Sequence, residues 1–123
     1  MKDLMTKNQD KPYNLEDRTL VFARGIIVLC KKAPQNVINS KLVGQLVSSS
    51  GSVGANYREA NEALSKKDFA HRMKITRKEC KESSFWLELL KESNPNFKDE
   101  IDAFIQESKE LRNIFTAIIN KSQ

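Results

Sequence analysis

Two carboxylates, Glu79 and Glu82, stand at i, i+3 in a segment of otherwise apolar seam and basic residues. At that spacing they share one face of a helix. Inward carboxylate pairs serve di-iron sites and general acid/base catalysis. A di-metal site in a helical bundle also needs Glu-x-x-His pairs from two helices. The single histidine, His71, is not three residues after any glutamate. No nucleophile–base pair accompanies the carboxylates. The sequence therefore assigns no catalytic residue, no metal ligand, no cofactor and no enzymatic activity.

Two further features invite chemistry and are read as structural. Cys30 and Cys80 lie fifty positions apart with no Cys-x-x-Cys or Cys/His spacing. They read as two buried thiols of a reducing compartment rather than zinc ligands. The run from Ser48 to Asn56 is rich in Ser and Gly. It lacks the Gly-Lys-Ser/Thr signature and the preceding strand of a phosphate loop. Small residues at that point let a neighbouring helix approach closely, with scope for a Ser/Gly kink.

The carboxylates are instead expected in a structural polar network of Ser52, Asn56, Glu59, Arg72, Glu79 and Glu82. The tight turn at Ser65 makes a hairpin of the flanking helices. With equal rise per residue, facing positions sum to about 131. Glu59 is then expected near Arg72, Ser52 near Glu79, Ser49 near Glu82 and Gln45 near Trp86. A carboxylate at a seam edge needs such partners.

Charge supplies a different candidate. The chain carries a formal net charge of +5 with 21 Lys+Arg against 16 Asp+Glu. As an average this says little, because many soluble proteins carry as much. Residues 65–81 alone hold seven Lys/Arg against Asp68 and Glu79, a net +5 that equals the whole surplus. At 100° per residue, Lys66, Arg77, Lys81, Lys74, Lys67, Lys78 and His71 fall within roughly 140° of arc, opposite the seam. Arg72 falls outside, toward the core edge. Lys66, Lys67, Lys74, Arg77, Lys78 and Lys81 are the candidate nucleic-acid-binding residues, since an unbalanced basic face suits a phosphate backbone. The competing reading is a solvated face balanced by Asp99, Glu100 and Asp102. No aromatic residue interleaves the basic ones on that face, so base stacking is not indicated. Binding is expected to be backbone-directed and salt-dependent.

The elements that must position these groups are all helical. No run alternates with period two, and four apolar stretches repeat at helical spacing. The first helix is expected over Leu15–Lys32, capped by Asn14 and closed by Pro34. Its seam is Leu15, Thr19, Phe22, Ile26, Leu29 and Ala33. Leu20, Val21, Ile27 and Val28 give it a second apolar face, which calls for a second neighbour. The second helix spans about Val37–Leu64, with Ile38, Leu42, Leu46, Val53, Ala60 and Leu64 as its apolar positions. The third opens on the capping box Ser65-Lys66-Lys67-Asp68 and runs to about Lys91. The fourth follows Asn94-Pro95-Asn96 and runs from about Phe97 to Asn120. Short connections give an all-α fold, an up-down-up-down antiparallel four-helix bundle over residues 14–120. Residues 1–13 read as a flexible N-terminal segment without the apolar core of a signal peptide. Leu20–Cys30 is too short to span a bilayer and holds Arg24. No membrane is implied, and the expected location is cytoplasmic.

The stretch Gln45–Leu90 resembles a known family. Gln45, Ser52, Gly54, Ala55, Asn56, Tyr57, Glu59 and Ala60 carry the likeness, then Ser65, Asp68 and Phe69, then Lys78, Glu79, Glu82, Trp86 and Leu87. They are similar to the four-helix-bundle proteins encoded within intervening sequences of bacterial 23S rRNA genes. The accessory protein of diversity-generating retroelements is a more distant relative. The resemblance implies a cytosolic bundle that assembles as a ring, typically a homopentamer, with no enzymatic activity and with nucleic acid as partner. Ser48 and Gly51 depart from the family pattern, which often has Arg and Thr there. Without that Arg, the resemblance implies no ionic contact at position 48. Two functions compete: an oligomeric module binding RNA or DNA through the basic stripe, and an oligomeric scaffold whose partner is another protein. Reversing charge at Lys74, Arg77 and Lys78 separates them.

Overall fold

The structure, a computed structural model, describes residues 14–122. The flexible segment expected at residues 1–13 lies outside the described residues. Four helices follow in order: α1 Leu15–Lys32, α2 Val37–Asn61, α3 Lys66–Ser93 and α4 Lys98–Lys121. A 3-10 turn, Pro95–Phe97, leads into α4.

Local chemistry sets the boundaries. The Asn14 side chain accepts from the Glu16 and Asp17 amides at 2.8 and 3.4 Å, and Asn36 accepts from the Asn39 amide at 2.8 Å. The Ser65 hydroxyl accepts from the Asp68 amide at 3.0 Å. Each cap satisfies amide donors that the first turn leaves without a partner. Acidic residues in the first turns of α1, α3 and α4, and Lys in their last turns, complement the helix dipoles.

The helices run antiparallel to their neighbours, as the cross-links between them require. Lys32 at the end of α1 meets Glu100 at the start of α4, and Lys91 at the end of α3 meets Asp102. Glu16 at the start of α1 accepts from Asn61 at the end of α2. The expected fold is therefore observed. Thr19, Phe22, Ile26 and Leu29 of α1 are buried, as are Met73, Thr76, Cys80, Ser83, Leu87 and Leu90 of α3. From α4 come Ile101, Phe104, Ser108, Leu111 and Phe115. Full burial of a Phe or Leu contributes roughly 1.5–3 kcal/mol each, so these seams dominate the fold's stability.

Helix α2 departs from expectation at both ends. It stops at Asn61, and Leu64 in the following turn is fully exposed. Ile38 is also exposed, so its core positions reduce to Leu46, Val53 and Ala60, with Leu42 half-buried. The Ser/Gly run does not break it: the helix continues from Val37 to Asn61. Close approach is real at two glycines. A Cβ on Gly54 would lie 3.0 Å from Thr19 Oγ1, and one on Gly25 would lie 2.6 Å from Phe104 Cε1. Gly25 thus seats the edge of Phe104 against α1, with Phe22 meeting the same ring edge-on at 6.4 Å. Around Gly51 there is open space.

Among the described residues, no helix is long and apolar enough to cross a membrane.

Candidate nucleic-acid interface

The basic stripe lies along the first half of α3. Lys66, Lys67, Lys74, Lys78 and Lys81 are exposed, and so is His71. Arg77 is half-buried, its guanidinium donating to Thr116 Oγ1 at 3.4 Å. That contact turns Arg77 toward α4 and fixes one flank of the stripe.

The acidic residues of α4 that were expected to balance this face are engaged elsewhere. Glu100 pairs with Lys32 at 2.8 Å. Asp102 pairs with Lys91 and Lys98, both at 2.8 Å, and these ammoniums hold its carboxyl below its usual range. Asp99 lies beside Lys98, whose ammonium its charge helps to stabilise. These contacts gather at the far end of α3. Lys91 is 17 positions after Lys74, or about 25 Å along the axis at 1.5 Å per residue. Exposed charges are screened within ~8 Å at physiological ionic strength. The part of α4 alongside the stripe, from Leu111 to Ser122, contains no Asp or Glu and adds Arg112 and Lys121. Among the described residues none of the six stripe residues forms an ion pair.

The stripe opens into a groove of about 520 Å³ lined by Lys74, Arg77, Lys78, Lys81, Glu82, Phe85 and Trp86. Two aromatic residues thus lie beside the basic ones, one turn beyond the segment that holds the charge surplus. Phe85 is 57% exposed and meets Trp86 edge-on at 5.1 Å. The signal was present as helical spacing, since Phe85 is four residues after Lys81 and seven after Lys78. Counting charge only to residue 81 stopped one turn short of it.

The expected polar network is only partly assembled. Glu79 and Glu82 do come together. Burial raises the Glu79 carboxyl above its ordinary range, and the neighbouring Glu82 charge adds to this. Their expected partners are occupied otherwise. Asn56 Nδ2 donates to the Ser52 carbonyl of its own helix at 2.9 Å. Glu59 is exposed, and no ion pair joins it to Arg72, whose carbonyl accepts from Thr76 Oγ1. The facing register is close to that expected, but it joins smaller side chains. Ser83 Oγ donates to Ser49 Oγ at 3.1 Å. Those positions sum to 132, one from the expected 131, and it is the buried seam residue Ser83 rather than the exposed Glu82 that meets Ser49.

The polar groups that do cross-link the core were not anticipated. Asn39 and Asn94 exchange reciprocal amide bonds at 2.9 Å, and Ser93 Oγ donates to Asn39 Oδ1 at 2.8 Å. Ser84 and Ser108 share a short hydrogen bond between α3 and α4. Arg18 clasps the fully buried Glu107 through Nε and Nη2, both at 2.8 Å, and reaches Glu110 at 3.0 Å. Glu107 falls between Phe104 and Leu111 on the seam of α4, so its spacing pointed inward although its type did not.

Both cysteines are free: Cys30 is half-buried and Cys80 buried. Among the described residues no cluster of His, Cys, Asp and Glu could hold a metal ion. On α1, Leu20, Ile27 and Val28 remain exposed around Arg24, the second apolar face read from the sequence.

Comparison with known proteins adds a lineage to this geometry. A family profile described as 23S rRNA-intervening sequence protein matches residues 14–117. A crystal structure of a protein of unknown function from the S23 ribosomal protein family of Bacteroides thetaiotaomicron is similar to the chain, with 31% identity and a TM-score of 0.76. The match covers 86% of this chain and 98% of that one. No curated protein matches the chain significantly.

Proposed function

We propose that this chain, which belongs to the 23S rRNA-intervening sequence protein family, is a non-enzymatic protein that binds the phosphate backbone of RNA or DNA along α3. The observation that carries this reading is a stripe of lysines that α4 does not neutralise. Lys74, Lys78 and Lys81 stand exposed and form no ion pair among the described residues, while Glu100 and Asp102 are taken up by Lys32, Lys91 and Lys98. Lysine ammoniums in that setting gain by displacing condensed counterions from phosphates. The reading needs no catalytic group, metal or cofactor. The free thiols of Cys30 and Cys80 fit a reducing cytoplasm.

Copies of the chain meet, in this proposal, through the outer face of α1. Leu20, Ile27 and Val28 give that face its apolar surface. By family resemblance the assembly is a homopentameric ring. A ring repeats the stripe once per subunit and turns weak sites into avid binding. The same α1 surface supports the second reading, an assembly scaffold for another protein with a merely solvated stripe.

An electrophoretic shift titration with a structured RNA at 50 and 200 mM salt tests the first reading. Reversal at Lys74, Lys78 and Lys81 is cleaner than one including Arg77, whose bond to Thr116 ties it to the bundle. The expected result is loss of binding with the fold intact. Where residual binding is measurable, the salt slope should fall by about 2–3, one for each lost phosphate contact. Unchanged binding by the triple variant would leave the scaffold. Light scattering gives the subunit number.

A further inference from the structure

The groove at the end of the stripe has a composition that backbone binding alone does not use. Phe85 is 57% exposed, a large apolar ring presented to solvent from a regular helix. At 100° per residue it projects about 20° from Lys74, in the middle of the basic arc. Lys81 precedes it by one turn, about 6 Å along the axis. Lys78 and Lys81 therefore flank an exposed π face on one side of the same helix. Trp86 lines the groove beside it, edge-on to Phe85 at 5.1 Å and 78°. This contact braces the ring from one side and leaves its other surface open.

We propose that this groove takes an unpaired nucleotide, with its base stacked on Phe85 and its flanking phosphates on Lys74, Lys78 and Lys81. The inference rests on the backbone-binding reading and adds the class of nucleic acid: single strands and loops rather than uninterrupted duplex. Aromatic faces beside a cationic track bind single strands because every base offers a π surface, whereas duplex bases are already stacked. Glu82 shapes the site further. Its carboxylate lines the groove and repels phosphate there, which directs the backbone to the lysines. It can also accept a hydrogen bond from an exocyclic base amine.

Trp86 is the chain's only tryptophan, so its emission reports this groove alone. The test titrates the full chain with oligo(U), oligo(dT) and a blunt duplex of equal phosphate number. Single strands should quench Trp86, and the duplex should leave it unchanged. Phe85→Leu keeps an apolar side chain at an exposed position and removes the π face. It should weaken single-strand binding about tenfold, as expected for loss of one stacked base. Duplex binding and melting temperature should stay the same. A stronger response to oligo(U) than to oligo(dT) assigns the site to RNA, and the reverse to DNA. Equal affinities of Phe85→Leu and the parent chain for single strands would overturn the stacking site. If charge reversal at Lys74, Lys78 and Lys81 still abolished binding, the backbone reading would survive that result. Binding indifferent to both changes would overturn the two together.

Discussion

Arg18 and Glu107 form a two-pronged ion pair across the α1–α4 seam, with both N–H···O distances at 2.8 Å and the Glu107 side chain fully buried. Glu110 closes the Arg18 guanidinium from the solvent side at 3.0 Å. The guanidinium is held protonated above its ordinary value, first by the Glu107 hydrogen bond. The pair sits one turn from Phe104, against which Gly25 packs. It fixes the register of α1 on α4 next to their tightest contact. Removing Arg18 takes both of these hydrogen bonds away from a buried carboxylate.

Arg18→Met is therefore expected to destabilise the bundle by about 1.5–3 kcal/mol, because it removes two charge-assisted hydrogen bonds from the fully buried Glu107. The double variant Arg18→Met with Glu107→Leu should recover most of that loss, since apolar replacement of a buried pair is often neutral. Urea unfolding of the three proteins checks this. A double variant no more stable than the single would show that the pair is needed for more than its own charge.

Two glycines separate close packing from mere permissiveness. Gly25→Ala places a Cβ 2.6 Å from Phe104 Cε1, against a ring that is itself buried. Overpacking of that kind costs about 1–3 kcal/mol. Gly51→Ala meets nothing within 4 Å on an exposed helical position. It should stabilise by roughly 0.5–1 kcal/mol through lost freedom of the unfolded chain. Thermal melts should move in opposite directions for the two variants. A shift of the same sign would contradict the packing at Gly25.

The architecture was legible because its signals are periodic. The seams of α1, α3 and α4 were marked by apolar residues at three- and four-residue spacing, and Asn14 and Ser65 capped where their types predicted. Position along the hairpin was legible to within one residue. Adjacent residues on a helix point about 100° apart, so the neighbour of the expected Glu82, Ser83, is the one that meets Ser49. Buried polar residues were the least readable. Asn39 and Asn94 lie far apart in sequence and reveal their pairing only when α2 and α3 are superposed end to end. The basic stripe could be seen as a face, but whether Asp99, Glu100 and Asp102 neutralised it depended on the axial position of α4.

Neither thiol should behave as a nucleophile in the native protein. Burial pushes Cys30 up to about 11 and Cys80 up to about 12. Cys80 Sγ also donates to the Ser108 carbonyl at 3.1 Å. The thiolate is the reactive form. A disulfide-exchange reagent at pH 7.5 should therefore label the native chain slowly, and both cysteines rapidly once guanidinium unfolds it. Fast native labelling would mean that α1 or α3 opens locally around its cysteine.

Glu79 should make stability depend on acid pH in the sense opposite to a salt-bridged carboxylate. Its carboxyl is raised above the ordinary 4.5, first by burial and then by the charge of Glu82. The native state thus holds this proton more tightly than the unfolded chain does. The stability it contributes is complete below the unfolded value and is lost as pH rises through the native one. Above the native value the Glu79 carboxylate carries its charge with the burial penalty and the repulsion from Glu82 fully present. Glu79→Gln carries no charge at any pH. It should melt above the parent chain at pH 7, and the difference should close below about pH 4, where the carboxyl is protonated in both states. Glu82→Gln, which removes the like charge but leaves the burial, should bring the Glu79 titration part of the way back in a carboxyl NMR experiment. A Glu79→Gln variant that melts below the parent chain at pH 7 would mean that the carboxylate is stabilised by its surroundings.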